Sequence, residues 1–166
     1  MSSSDRRSVL LSLAALPALG ACGFTPAYAP GGAAGSLRGR VLVDEPATRN
    51  GYLMTRDLEG RLGRAGGGAR YGLSLGIQTR RDGGAISQTD ITTRYNLIGS
   101  ATYALRDIES GKVLTSGSVE TFTGYSATGS TVATQAAARD AEARLMTMLS
   151  DQIVTRLLAA APDLPA

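Results

Sequence analysis

Few side chains in this sequence can do chemistry, and their types set narrow limits. Histidine is absent, which removes imidazole acid–base catalysis and imidazole metal ligation. Cysteine occurs once, at Cys22, so neither an internal disulfide nor a thiolate metal cluster can form. Serines and carboxylates remain, but no GxSxG elbow, phosphate loop or GxGxxG fingerprint frames them. Gly66, Gly67 and Gly68 lack the lysine and the strand-then-helix context of a phosphate cradle, and read as a flexible exit from a helix. The net charge of +3 is carried almost wholly by arginine and is dispersed. That excludes a nucleic-acid partner and leaves room for an anionic lipid or a phosphate-bearing one. These residues describe a protein that is not an enzyme and holds no metal and no cofactor.

The single thiol has a distinctive setting. Arg6 and Arg7 precede an apolar run from Val9 to Ala21, and Cys22 follows at once. A basic start, an apolar stretch and small residues before a cut make a secretory signal. As a helix the run would span about 20 Å, against roughly 30 Å of bilayer hydrocarbon, so it is no membrane-spanning anchor. Leu19-Gly20-Ala21-Cys22 resembles the lipobox of bacterial lipoproteins, in which the cysteine sulfur accepts diacylglycerol and the new N-terminus an acyl chain. The resemblance implies a covalent N-acyl and S-diacylglycerol lipid on Cys22, and two or more chains give stable anchoring. Arg6-Arg7-Ser8-Val9-Leu10 is also a weak twin-arginine match, so the export route stays open. Gly23 after the cysteine carries no aspartate retention signal, which favours the outer membrane, periplasmic face.

The rest of the chain must fold without staples, and its length suits one domain. Residues 1–21 read as a signal peptide, 22–36 as a lipidated tether rich in Pro and Gly, 37–161 as a single α+β domain, and 162–166 as a tail. Within the domain, Leu37 to Val43 reads as a first strand. A helix capped by Asn50 or Thr48 follows, with Met54, Leu58 and Leu62 on one face, ending at Gly66–Gly68. Tyr71, Leu73, Leu75 and Ile77 alternate with small or polar residues, the pattern of a half-buried strand. Arg81-Asp82-Gly83-Gly84 reads as a turn. A long strand then carries Ile91, Tyr95, Leu97, Ala101, Tyr103 and Leu105 on one side, and Asp107 to Gly111 makes the next turn before a strand from Val113 to Thr123. From Thr131 to Ala160 an i+4 ladder of Ala137, Ala141, Leu145, Leu149, Ile153 and Leu157, with Met148 beside it, marks a long amphipathic helix stopped by Pro162. The expected fold is α+β: a mixed four-stranded sheet in the order β-α-β-β-β-α, with two helices packed on one face and the C-terminal helix long.

Cys22-Gly23-Phe24-Thr25-Pro26-Ala27-Tyr28 after the lipobox, the element order, Tyr125 before the last helix, and Leu149-Ser150-Asp151-Gln152-Ile153 within it resemble the LptE family of lipopolysaccharide-assembly lipoproteins. The resemblance covers nearly the whole chain after Cys22. It implies a partner, the outer-membrane β-barrel LptD, whose lumen the lipoprotein plugs and whose assembly it assists, and it implies help with lipopolysaccharide insertion into the outer leaflet. It further implies basic residues that meet lipopolysaccharide phosphates. Arginine suits that task through its planar fork of donors. The candidates are Arg80 and Arg81 at a strand end, Arg94 and Arg106 along the long strand, and Lys112 in the next turn. Arg80, Arg94 and Arg106 hold even positions, opposite the apolar set. A second reading makes the chain an auxiliary lipoprotein of a periplasmic lipid-transporting ABC system, since such proteins also join a lipobox to a small α/β domain.

Overall fold

A computed structural model describes residues 32–86, 92–127 and 129–165. Its elements are α1 (Ala33–Leu37), β1 (Val41–Val43), α2 (Arg49–Leu62), β2 (Tyr71–Ile86), β3 (Thr92–Asp107), β4 (Val113–Ser126) and α3 (Thr131–Ala160), closed by a 3-10 turn at Ala161–Asp163. The sheet order is β1-β2-β3-β4, with β1 parallel to β2 and the other neighbours antiparallel. This is the expected mixed four-stranded α+β architecture with a long C-terminal helix. Helix α3 packs on β3, β4 and α2, and α2 in turn meets β1 and β2, so both long helices share one face of the sheet.

Local chemistry explains most of the boundaries. The Thr48 hydroxyl accepts from the Gly51 N–H at 3.0 Å and starts α2, the side-chain cap that helix starts favour. Gly63, at φ 76°, ends it three residues before the expected Gly66–Gly68 exit, because a left-handed residue terminates the helical hydrogen bonds wherever it first occurs. Ser130 caps α3 by accepting from the Ala133 N–H at 3.2 Å. The core is one cluster. Met54, Leu58, Leu73, Leu105, Leu145, Leu149, Ile153 and Leu157 have no exposed surface.

Four expectations need correction. Leu37 does not begin a strand; it ends α1, fully buried, and the strand is only Val41–Val43. Arg81 to Gly84 are not a turn, because β2 runs through them to Ile86 with an irregularity between Gly83 and Ala85. A long partner strand enforces that extension, since β propensity yields to pairing context, and the surplus geometry is absorbed as a bulge. The last strand continues to Ser126, because Tyr125 stands opposite Tyr95 and their rings stack at 5.5 Å. On α3 it is Met146 that is fully buried, whereas Met148 is 39% exposed. The helix lies in the corner between α2 and the sheet, so it buries a second row beside the ladder.

Candidate functional site

The alternation of the strands divides the sheet into two unlike faces. Odd residues of β2 and β3 face the helices. Even residues, among them Ser74, Gly76, Gln78, Ser100, Thr102, Ser116 and Ser118, form a broad face that no described element covers. Small side chains there bond to neighbouring backbone: Ser74 Oγ donates to the Ala104 carbonyl at 3.2 Å, and Thr102 Oγ1 to that of Gly76 at 3.5 Å. One apolar row crosses this face, where Ile98 stands opposite Phe122, and Phe122 is 67% exposed.

The five basic candidates do not gather into one site. Arg80, Arg94 and Arg106 lie on the open face, as their even positions require. Arg80 stands across from Ile98, is 70% exposed and pairs with Asp82 at 3.4 Å. Arg94 is exposed on the same half of the face, close to Gly124. Arg106 is eight positions beyond Ile98 along β3, a separation of about 26 Å at the usual strand rise. It is bound to Asp44 at 2.6 Å. Arg81 points to the other face, its guanidinium 5.8 Å and 5.7 Å from the stacked rings of Tyr95 and Tyr125. Lys112 sits at the opposite end of the molecule, on a rim that also carries Arg70, Asp107, Glu109 and Asp163. Reading β2 as ending before Arg81 hid its parity. Carried through, the alternation puts Arg81 on the tyrosine side. Phe122 was missed because an apolar residue at an even position of a weakly patterned strand gives no periodic signal.

Asp107, the last residue of β3 before the turn to β4, is the described titratable group with a displaced equilibrium. The Ser110 N–H and hydroxyl donate to its Oδ1 at 2.8 Å and 2.7 Å. These bonds, led by the backbone one, hold its carboxyl below the usual carboxylate range, aided by the charge of Arg70 and opposed by burial. That role is structural: it fixes the turn. Among the described residues no cluster of three or more metal-ligating side chains occurs, and none of the helices is long and apolar enough to cross a membrane. Cys22 lies outside the described residues.

The fold itself is one shared by bacterial lipoproteins. A protein from Caulobacter crescentus CB15 described as a lipoprotein superposes with a TM-score of 0.66 at 21% identity, over 78% of this chain and 96% of that one. Rare lipoprotein B from Shewanella oneidensis gives 0.55 at 14% identity, over 74% and 95% of the two chains. A minor lipoprotein from Acinetobacter baumannii gives 0.51 at 15%, over 72% and 88%. No curated protein sequence matches the chain. The chain belongs to the LptE family, described as lipopolysaccharide-assembly, whose sequence pattern it matches over residues 39–157. That span runs from the residues just before β1 to the last turn of α3, the whole of the helix-covered sheet.

Proposed function

We propose that this protein is an outer-membrane lipoprotein, held at the periplasmic face by lipid on Cys22, that seats inside the LptD β-barrel, helps it assemble, and assists passage of lipopolysaccharide to the outer leaflet. Family membership sets the pathway. The observation that carries the finer reading is the sheet face that no described element covers, built mostly of Ser, Thr, Gly and Arg beside the Ile98–Phe122 row, on strands of up to 16 residues. A 16-residue strand is about 53 Å long, and α3, at 30 residues, is about 45 Å. A long body with one polar face suits a barrel whose lumen is polar and whose apolar band faces lipid. The protein supplies a surface and no reaction, in keeping with an accessory role.

Within that role Arg80 and Arg94 are the best placed of the basic candidates to meet lipopolysaccharide phosphates, since they share one half of the open face with the exposed Phe122. Arg106 lies on the same face at the far end. Arg81 lies on the tyrosine side and Lys112 on the far rim, away from that half of the face.

The test is affinity capture of the lipidated chain from detergent extract, followed by identification of what comes with it. A stable one-to-one complex with a large β-barrel is the expected result. Recovery of a lipid-transporting ABC assembly in its place would move the protein to that system and sink the plug reading.

A further inference from the structure

The two outer edges of the sheet are finished differently. Along β4, helix α3 lays side chains over the backbone: Arg144 donates to the Gly124 carbonyl and Gln152 to that of Glu120, each at 3.4 Å. Such cover blunts an edge that would otherwise accept another strand. On the far side, β1 pairs with β2 only from Tyr71 to Leu73, and the Asp44 N–H closes that ladder on the Leu73 carbonyl at 2.9 Å. Arg106 reaches across Gly72 to hold Asp44 at 2.6 Å. Pro46, with no N–H to extend a ladder, then leads the chain off toward α2. The lane beside Leu73 and Ser74 is thus full, whereas β2 runs on to Ile86.

The Tyr71 N–H donates outward to the Arg40 carbonyl, and the Leu73 carbonyl accepts from outside. Alternation then turns the backbone groups of Ile77, Thr79 and Arg81 outward too. Among the described residues no strand pairs with them on that side. This short lane, Ile77 to Arg81, is stopped below by the corner at Glu45 and Pro46 and above by the irregularity after Gly83. On its helix side a groove of about 210 Å³ opens between β2 and the start of α2, lined by Pro46, Thr48, Gly51, Thr55, Leu75 and Ile77 among others. A side chain standing beside Ile77 in the lane would enter it. Charge is unequal along the lane, with Glu45 exposed at its lower end and Arg80 and Arg81 at its upper end. Asp82 pairs with Arg80 at 3.4 Å, whereas no described carboxylate pairs with Arg81, which lies over the tyrosine rings.

We propose that this lane takes one short extended segment of the barrel partner, added to the sheet as a further strand beside β2. The inference rests on the barrel reading and deepens it. Main-chain bonds to Ile77, Thr79 and Arg81 give affinity and the groove gives specificity, as in other cases of strand addition. The chemistry of the segment follows from the register. Antiparallel pairing, the more stable per residue, sets an aliphatic side chain opposite Ile77, over the groove. It sets an acidic side chain four positions earlier in the segment, opposite Arg81, where opposite charges across a strand pair are favourable. Both fall on the helix side, as the two-residue period of a strand requires. A closed barrel wall has no free strand edge to give, so the segment is a loop that folds into the lumen. The length of the lane suits a loop, because a longer strand would run into Asp44 and Val43, which already fill the space beside Ser74 and Leu73.

Hydrogen exchange reads the lane residue by residue. Full-length lipidated protein is compared free in detergent and in complex with the barrel. In the free chain the Ile77, Thr79 and Arg81 amides are expected to exchange quickly. Those of Gln78 and Arg80, which alternation turns toward β3, should be slow in both states. In the complex the three outward amides should slow at least ~5-fold, the effect of one ladder bond of ordinary strength. Thr79→Pro removes one outward N–H and spares the β2–β3 bonds, a substitution that edge strands admit. It should lower the yield of complex at least ~5-fold while the thermal midpoint of the free chain stays close to that of the parent. If that variant does not fold, Arg81→Glu, at an exposed side chain, replaces it, and like charge opposite the acidic residue should lower the yield as well. Outward amides already slow in the free chain would mean that its own residues fill the lane, and would overturn the inference, as would an unchanged yield in the edge variant. A barrel that binds without slowing these amides defeats this inference alone, whereas recovery of no barrel defeats the barrel reading and this inference with it.

Discussion

Ser150 stands on the buried side of α3 with no exposed surface, and its hydroxyl has no hydrogen-bond partner among the described residues. A buried, unsatisfied hydroxyl costs free energy that a methyl group does not. Ser150→Ala should therefore raise stability by about 1 kcal/mol, read as a higher denaturant midpoint at unchanged slope. A loss of similar size would mean that the hydroxyl is bonded in solution. Asp107 gives a pH signature. Its carboxyl is held below its ordinary value by the Ser110 bonds, so the folded state binds the proton less readily than the unfolded chain. The stabilisation is present above the unfolded value of about 3.9 and is lost as pH falls through the lower folded value. Asp107→Asn should flatten the acid limb of the melting temperature against pH below about 4. If the limb keeps its full steepness, the Ser110 bonds do not set it. Neither residue was legible as special in the sequence. Ser150 falls inside a correctly read helix, but which of its faces is buried depends on what packs there.

At the scale of elements, the ladder on α3 was legible because a 3.6-residue period survives in any context where one side is wet. Ala141, Leu145, Leu149, Ile153 and Leu157 are all fully buried. The second buried row, Met146, Ser150 and Val154, was not, because it exists only where α3 meets α2 as well as the sheet. That seam also carries Thr147 donating to Asp57 at 2.6 Å, Arg49 paired with Glu142 at 3.0 Å, and an Arg61–Asp151 ion pair. Helix and sheet approach closely at Gly99, where an added Cβ would lie 2.7 Å from Leu145 Cδ2. Gly99→Ala should cost about 1–3 kcal/mol by overpacking, whereas Gly124→Ala on the open face, whose nearest neighbour would be 3.4 Å away, serves as the mild comparison. Equal stability of the two would show that Leu145 yields freely. On the open face, replacing Arg80, Arg94 and Arg106 together by Ala should weaken lipopolysaccharide binding while leaving the thermal midpoint nearly unchanged, since exposed ion pairs contribute about 0–1 kcal/mol each. Undiminished binding by the triple variant would remove all three as contacts.

For the molecule as a whole, the proposed anchor and the folded body are separable. Cys22→Ser should move the protein from the membrane fraction to the periplasm without altering the unfolding transition of the domain, because the core lies within residues 37–161. Retention in the membrane would refute the lipid anchor. The amino-acid order alone determined the long elements and their sequence, though not the short helix α1, since apolar period and capping chemistry act over a few residues. It also fixed the limits on catalysis set by a missing imidazole and a single thiol, and it carried the family's pattern. Where β2 ends, which face Arg81 takes, why Gly99 must be small and which sheet edge α3 covers were decided only by the tertiary structure. Each of these depends on the partner strand or helix that arrives from elsewhere in the chain: pairing with β3 overrode the turn chemistry of Arg81 to Gly84, and the path of α3 laid Arg144 and Gln152 over the β4 edge.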